Sequence, residues 1–251
     1  MHTASKMYIS VNNAIGISSM GSRRKHAGLA SPADGGSMAK YSLDEGRRLI
    51  SAARSSIELF LKDPRFEPEM VKSTLKEFSK PDGIFVTLRH YPNEVVRGHA
   101  GFSEPIAPLG ESLVEATIAA AFGDQRFVPV SHRELDDIVI ELDIISKMQK
   151  VNGEANRLRR LSLGRDGIIV RHGTSKGIIM PEFPVRHKLS KQQALEEACI
   201  HAKLPESYWK QPSVEVLYFT SQRFVEETPS GRVNEMVMNK LPARRRGAAN
   251  S

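Results

Sequence analysis

Apolar side chains first fall into a regular pattern at Leu49, Ile50, Ala53, Ile57, Phe60 and Leu61, a spacing that puts them on one stripe of a helix. Ser42-Leu43-Asp44-Glu45 just upstream has the form of a reciprocal capping box, and Pro64 lies soon after Lys62, so the spacing predicts a helix between them. A proline-marked loop then leads to a short helical turn around Val71 to Phe78, and Pro81-Asp82-Gly83 resets the chain. The period next changes from 3.6 to 2. Ile84 to Leu88 and Val95 to Phe102, joined by a turn-rich segment, predict a β-hairpin. An alanine-rich helix is expected over Glu111 to Phe122, with its stop at Gly123-Asp124. Ile138 to Ile145, in which Glu141 and Asp143 alternate with isoleucine and leucine, predicts a half-buried strand.

Residues 146 to 165 are basic and show no period. Gly167 to Arg171 and Gly177 to Met180 flank a glycine-containing loop and predict a second hairpin. A second capping box at Ser190 and Gln193 opens a helix that must stop before Pro205, and Val214 to Thr220 is expected as the last strand. Strands and helices do not alternate strictly, so the pattern predicts an α+β fold with an antiparallel or mixed β-sheet flanked by helices.

Residues 1–40 and 228–251 carry no sustained period and are expected to be disordered, leaving a folded part over 41–227. Met38 stands just before the first structural signal and is a candidate translational start. Charge sharpens this division. The chain is +7 overall, but each end carries about +4 and the middle is near −1. Association with nucleic acid would therefore rest on the basic ends and be non-specific and salt-sensitive. Only 6% of residues are aromatic, and no aromatic-basic platform stands out in the middle. No run approaches the apolar length of a membrane span, and the first forty residues lack an export signal. Cys199 is the only cysteine, which excludes an intrachain disulfide and points to the cytoplasm.

The segment Arg97-Gly98-His99-Ala100-Gly101 carries the most unusual chemistry, because two glycines thin out a strand and imply close approach of another group. In one reading the strand faces a ligand, with Arg97 as an anion donor and His99 as a general acid/base or metal ligand. In the other it is a bulged strand with Arg97 in an ion pair and His99 hydrogen-bonded in the interior. A second cluster, Gly123 to Val130, contains Asp124 and Arg126. If extended, it would point these two to opposite faces, leaving Arg126 free to hold Glu141 or Asp143. Structural pairing suits these residue types better than catalysis. No pair of histidines has helical metal-ligand spacing, so no metal site is assigned, and no cofactor is indicated.

Val96-Arg97-Gly98-His99-Ala100-Gly101-Phe102 resembles the signature strand of the AMMECR family, usually Leu-Arg-Gly-Cys-Ile-Gly and a bulky residue. Asp124-Gln125-Arg126-Phe127 is similar to the family's Asp-x-Arg-Phe segment. The strand from Glu134 to Ile145, the hairpin ending at Met180-Pro181, and Cys199 to Pro205 with Trp209 follow in the family's order. The resemblance implies two unequal α/β lobes in one compact unit around an antiparallel sheet, without an established activity. It also implies a pathway shared with MEMO-like and radical-SAM proteins, which would make such proteins partners. One departure matters chemically: His99 stands where the family usually has cysteine, so no thiolate nucleophile carries over. A metal or proton-transfer role would tolerate that exchange. Cys199 matches another family cysteine but lies on an amphipathic helix where a small core residue suffices.

These observations favour a binding or accessory module with a ligand- or partner-facing cleft formed by Arg97, Gly98, His99, Gly101, Asp124 and Arg126. An enzyme acting on a small anionic substrate, with His99 as the catalytic candidate, is the alternative. No set of nucleophile, base and oxyanion donors is recognisable in the sequence.

Overall fold

A computed structural model of the chain describes residues 40–63 and 65–236. Helix α1 (Leu43–Lys62) begins at the expected capping box, where the Ser42 hydroxyl accepts from the Glu45 N–H and the Glu45 carboxylate accepts from the Ser42 N–H. Short α2 (Glu69–Lys72) leads to β1 (Gly83–His90), β2 (Val95–Phe102) and α3 (Leu109–Ile118). Helix α3 runs into a single π-helical turn, Ala119–Gly123, after which α4 (His132–Leu135) precedes β3 (Ile138–Ile145). The segment 146–165, read above as irregular, holds β4 (Gln149–Lys150) and α5 (Glu154–Arg160). β5 (Gly167–His172) and β6 (Ser175–Ile179) form the second hairpin. α6 (Glu182–Arg186), α7 (Lys191–His201), β7 (Glu215–Phe219), β8 (Ser221–Glu226) and β9 (Val233–Met236) complete the described chain.

The fold is α+β, with two antiparallel sheets rather than one. The larger sheet has the order β2-β1-β3-β8-β9, and the smaller has the order β4-β7-β5-β6. Period-two alternation divides the larger sheet into two faces. Ile84, Val86 and Leu88 of β1 join Ile140, Leu142 and Ile144 of β3 in a core with α1 and α3. The opposite face carries Phe85 and Ile145, which pack against Ile169, Ile178, Met180, Leu217 and Phe219 of the smaller lobe. A third core, with Ile168, Val170, Cys199 and the fully buried Trp209, lies under α7.

Two strand pairs run through both sheets. β3 continues past Ser146 into β4, while β7 turns at Thr220 into β8, and these segments pair with each other on both sides of the junction. There the Ser146 N–H donates to the Thr220 carbonyl at 2.8 Å, and the Thr220 N–H donates to Ser146 Oγ at 2.8 Å.

Three expectations need correction. β3 is buried on both faces, because the smaller lobe covers the side that carries Glu141 and Asp143. β7 is not the last strand, since β8 and β9 follow. The folded part consequently extends past 227 to at least Met236, where β9 pairs with β8 and buries Val233. Val233 supplies the apolar side chain that the short, polar sequence around it concealed. The expected disorder of 1–39 and 237–251, and the candidate start at Met38, lie outside the described residues.

Candidate functional site

β2 is an edge strand, and an exposed edge offers unpaired backbone groups to other chains unless something covers it. Here the cover is the chain that follows α3. The π-helical turn brings the Ala120 carbonyl against β2 so closely that a Cβ on Gly98 would stand 2.1 Å from it. The next turn folds back, with the Val130 N–H donating to the Ala121 carbonyl at 2.9 Å, and its side chains then hold the strand edge.

Asp124 is the centre of that hold. Its Oδ2 accepts the His99 backbone N–H at 3.0 Å, and its two oxygens receive Arg126 Nε at 2.9 Å and Nη2 at 2.6 Å. Burial acts to raise the Asp124 carboxyl, but the Arg126 side-chain and backbone donors and the His99 N–H outweigh it, so its pKa lies below the ordinary range. The turn at Gln125 brings Asp124 and Arg126 onto one side, which an extended segment would not. Arg126 therefore does not hold Glu141 or Asp143, as one reading of the sequence allowed; Arg89 and Arg223 do.

Arg97 is buried and points to Glu134, donating from Nε to Oε1 at 2.8 Å and from Nη2 to the Val128 carbonyl at 2.8 Å. Glu134 also closes the capping box of α4 with Ser131. The Arg97 hydrogen bond is the main cause that draws the Glu134 carboxyl down to about 2. Phe127 links the two arginines, with its ring centre 5.7 Å from Arg97 Cζ and 5.2 Å from Arg126 Cζ, both within cation–π range.

His99 lies beneath this cover and is only 8% exposed. Its Nδ1 is 2.9 Å from Thr87 Oγ1, directly across the strand pair, and its ring stacks on Phe85 at 5.3 Å with an interplanar angle of 2°. Gly101 makes that stack possible, because a Cβ there would stand 2.6 Å from Phe85 Cδ1. Desolvation, assisted by the Arg126 charge, brings the imidazole down to about 4, so it is neutral at physiological pH. The close approach implied by the glycines is thus made by the protein's own backbone and aromatic ring. His99, Asp124 and Arg126 come together, while Arg97 adjoins them through Phe127.

A second charged group went unrecognised in the sequence. On the face of the larger sheet that meets the smaller lobe, Arg89 Nε lies 2.8 Å from Glu141 Oε1. Arg223 Nη2 stands 2.6 Å from both Asp143 Oδ2 and Glu182 Oε1. All five side chains are at least nine-tenths buried. Glu182 comes from α6 of the smaller lobe and the other four from the larger sheet. Among the described residues, no three His, Cys, Asp or Glu side chains group as ligands for a metal ion.

Residues 50–224 match the AMMECR1 family. The chain belongs to that family. Among relatives, it is 38% identical to protein MK0488 of Methanopyrus kandleri over 199 residues, covering 78% of this chain and 95% of that one. Protein MJ0810 of Methanocaldococcus jannaschii is 36% identical over 200 residues, covering 79% and 98%. The crystal structure of uncharacterized protein PH0010 from Pyrococcus horikoshii has a TM-score of 0.71 to this fold at 36% identity, and the match covers 76% of this chain and 96% of that one. Cys199 is a core residue, fully buried, with burial pushing its thiol up to about 11.

Proposed function

We propose that this AMMECR1-family protein is a binding or accessory module that docks a protein partner at the β1–β2 hairpin end and the adjoining turn over Arg97. The observation that carries this reading is where apolar side chains are exposed. Of the six large exposed hydrophobics among the described residues, Tyr91, Val95 and Val128 (44%, 47% and 75% exposed) belong to the hairpin end or to the turn that accepts the Arg97 hydrogen bond. Val185 is tied to the same end, because its neighbour Arg186 reaches Glu94 at 3.7 Å. Scattered singly such residues need no explanation, whereas their convergence on one end does.

The charges there support a protein partner over a free small anion. Arg97 and Arg126 already face carboxylates at 2.8 and 2.6 Å, so a free anion would have to displace Glu134 or Asp124. Neutral ion pairs fringed by apolar side chains suit a macromolecular interface. The position of His99 under this cover argues for support of the surface rather than catalysis. MEMO-like and radical-SAM proteins are the partner classes that the family resemblance suggests.

Titration calorimetry against a MEMO-like and a radical-SAM protein from the same genome tests the reading. Val128→Asp should weaken binding at least about tenfold, some 1.4 kcal/mol, with the melting temperature unchanged. Wild-type affinity in Val128→Asp and in Val95→Asp would place the contact surface elsewhere.

A further inference from the structure

The junction between the lobes holds more acid than base. Three carboxylates, Glu141 and Asp143 from β3 and Glu182 from α6, meet two guanidiniums, Arg89 from β1 and Arg223 from β8. The remaining charged groups nearby cancel, since Asp124 and Arg126 pair with each other above a neutral His99 from β2. Glu141 Oε2 and Glu182 Oε2 are buried without a hydrogen-bond partner.

We propose that this junction is a binding site for one proton, shared by the Asp143 and Glu182 carboxyls across Arg223, and that the bound proton clamps the two lobes together. The geometry requires such sharing. Asp143 Oδ2 and Glu182 Oε1 both lie 2.6 Å from one nitrogen, Arg223 Nη2, in surroundings that exclude water. Two like charges so placed cannot both ionise cheaply, and a single guanidinium cannot neutralise both. Desolvation, with the charges of Glu182 and Glu141 beside it, brings Asp143 up to about 6, while Arg223 holds Glu182 below its ordinary range despite burial. The two titrate as a pair. With the proton bound, Arg223 serves Glu182 alone, and the ion pair that crosses between the lobes is at its strongest. Loss of the proton restores the repulsion between Asp143 and Glu182, which pushes α6 away from the larger sheet.

Carboxyl carbon NMR of the full chain, labelled at Asp and Glu, tests the site directly. One of Asp143 and Glu182 should titrate with a midpoint near pH 6 while the other's resonance responds at the same midpoint. Ionisation of both below about pH 4.5, as in unperturbed side chains, would overturn the proposal. If Asp143→Asn folds, its unfolding constant provides a second reading. From about pH 4 to 6 the wild-type constant should rise relative to the variant's by up to about tenfold per pH unit, because the wild-type native state keeps its proton over that range and releases it on unfolding. Parallel curves would overturn it. The clamp is read from exchange of the Ser146 amide at the junction, corrected for the intrinsic rate. Protection greater at pH 5.5 than at pH 7.5 in wild type supports the coupling, and equal protection refutes it.

Discussion

The pair Arg97–Glu134 and the triad Asp143–Arg223–Glu182 both set a buried arginine against carboxylates, but they differ in what surrounds the acid. The Glu134 side chain keeps 30% of its surface in water, whereas those of Asp143 and Glu182 keep 1% and 3%. Glu134 is accordingly drawn down to about 2, while Asp143 is pushed up to about 6 beside an arginine that contacts it more closely. Proximity of opposite charge does not by itself fix the ionisation of a carboxyl. Access to water and the number of acids competing for the cation decide it.

Removing the arginine from each group breaks the comparison most forcefully. Arg223→Ala leaves Asp143 and Glu182 buried without a countercharge and should cost roughly 3–5 kcal/mol in urea unfolding at pH 7. That loss should shrink at pH 5.5, where the acids can take up a proton. Arg97→Ala should cost less, roughly 1–3 kcal/mol, because water can reach Glu134. Equal losses at pH 7 would mean that solvent access does not separate the two groups.

The smallest effect sharpens the contrast through pH. The folded pKa of His99, about 4, lies below its unfolded value of about 6.5, so the unfolded chain takes up the proton first and stability falls as pH drops between these values. The folded pKa of Asp143, about 6, lies above its unfolded value of about 3.9, so stability falls as pH rises between those. The two slopes oppose each other between about pH 4 and 6. His99→Gln should therefore unmask a decline in stability with rising pH, by up to about 1.4 kcal/mol per unit, measured by urea titrations at half-unit steps. No change in slope would show that His99 does not titrate in this range.

Much of this was legible wherever the signal was local. The capping boxes at Ser42 and Ser190 and both hairpins read directly from spacing, because caps and turns depend on residues a few positions apart. Arg97, His99, Asp124 and Arg126 stood out against glycines, although the occupant of the space at Gly98 proved to be the Ala120 carbonyl. The lobe junction was not legible. Arg223 and Asp143 lie 80 positions apart, and alternation of acids with isoleucine along β3 is what a solvent-facing side would show. Only the packing of the second lobe on that side turns Glu141 and Asp143 into buried charges. β9 escaped for a related reason: four residues with one deeply buried side chain carry too little pattern to stand out from a tail.

The continuous strands at Ser146 and Thr220 also dictate how the chain can assemble on the ribosome. The larger sheet is begun by β1 and β2 but is not finished until β8 and β9 emerge, after the entire smaller lobe has been made. Until then β3 has no partner on its β8 side, and Asp143 lacks the Arg223 guanidinium that β8 will bring. The closing contacts span long loops, which slows the search for the native pairing and extends the life of aggregation-prone species. The smaller lobe can therefore be complete while the larger one is still open, so synthesis of this protein ends with a late closure of the larger sheet alone.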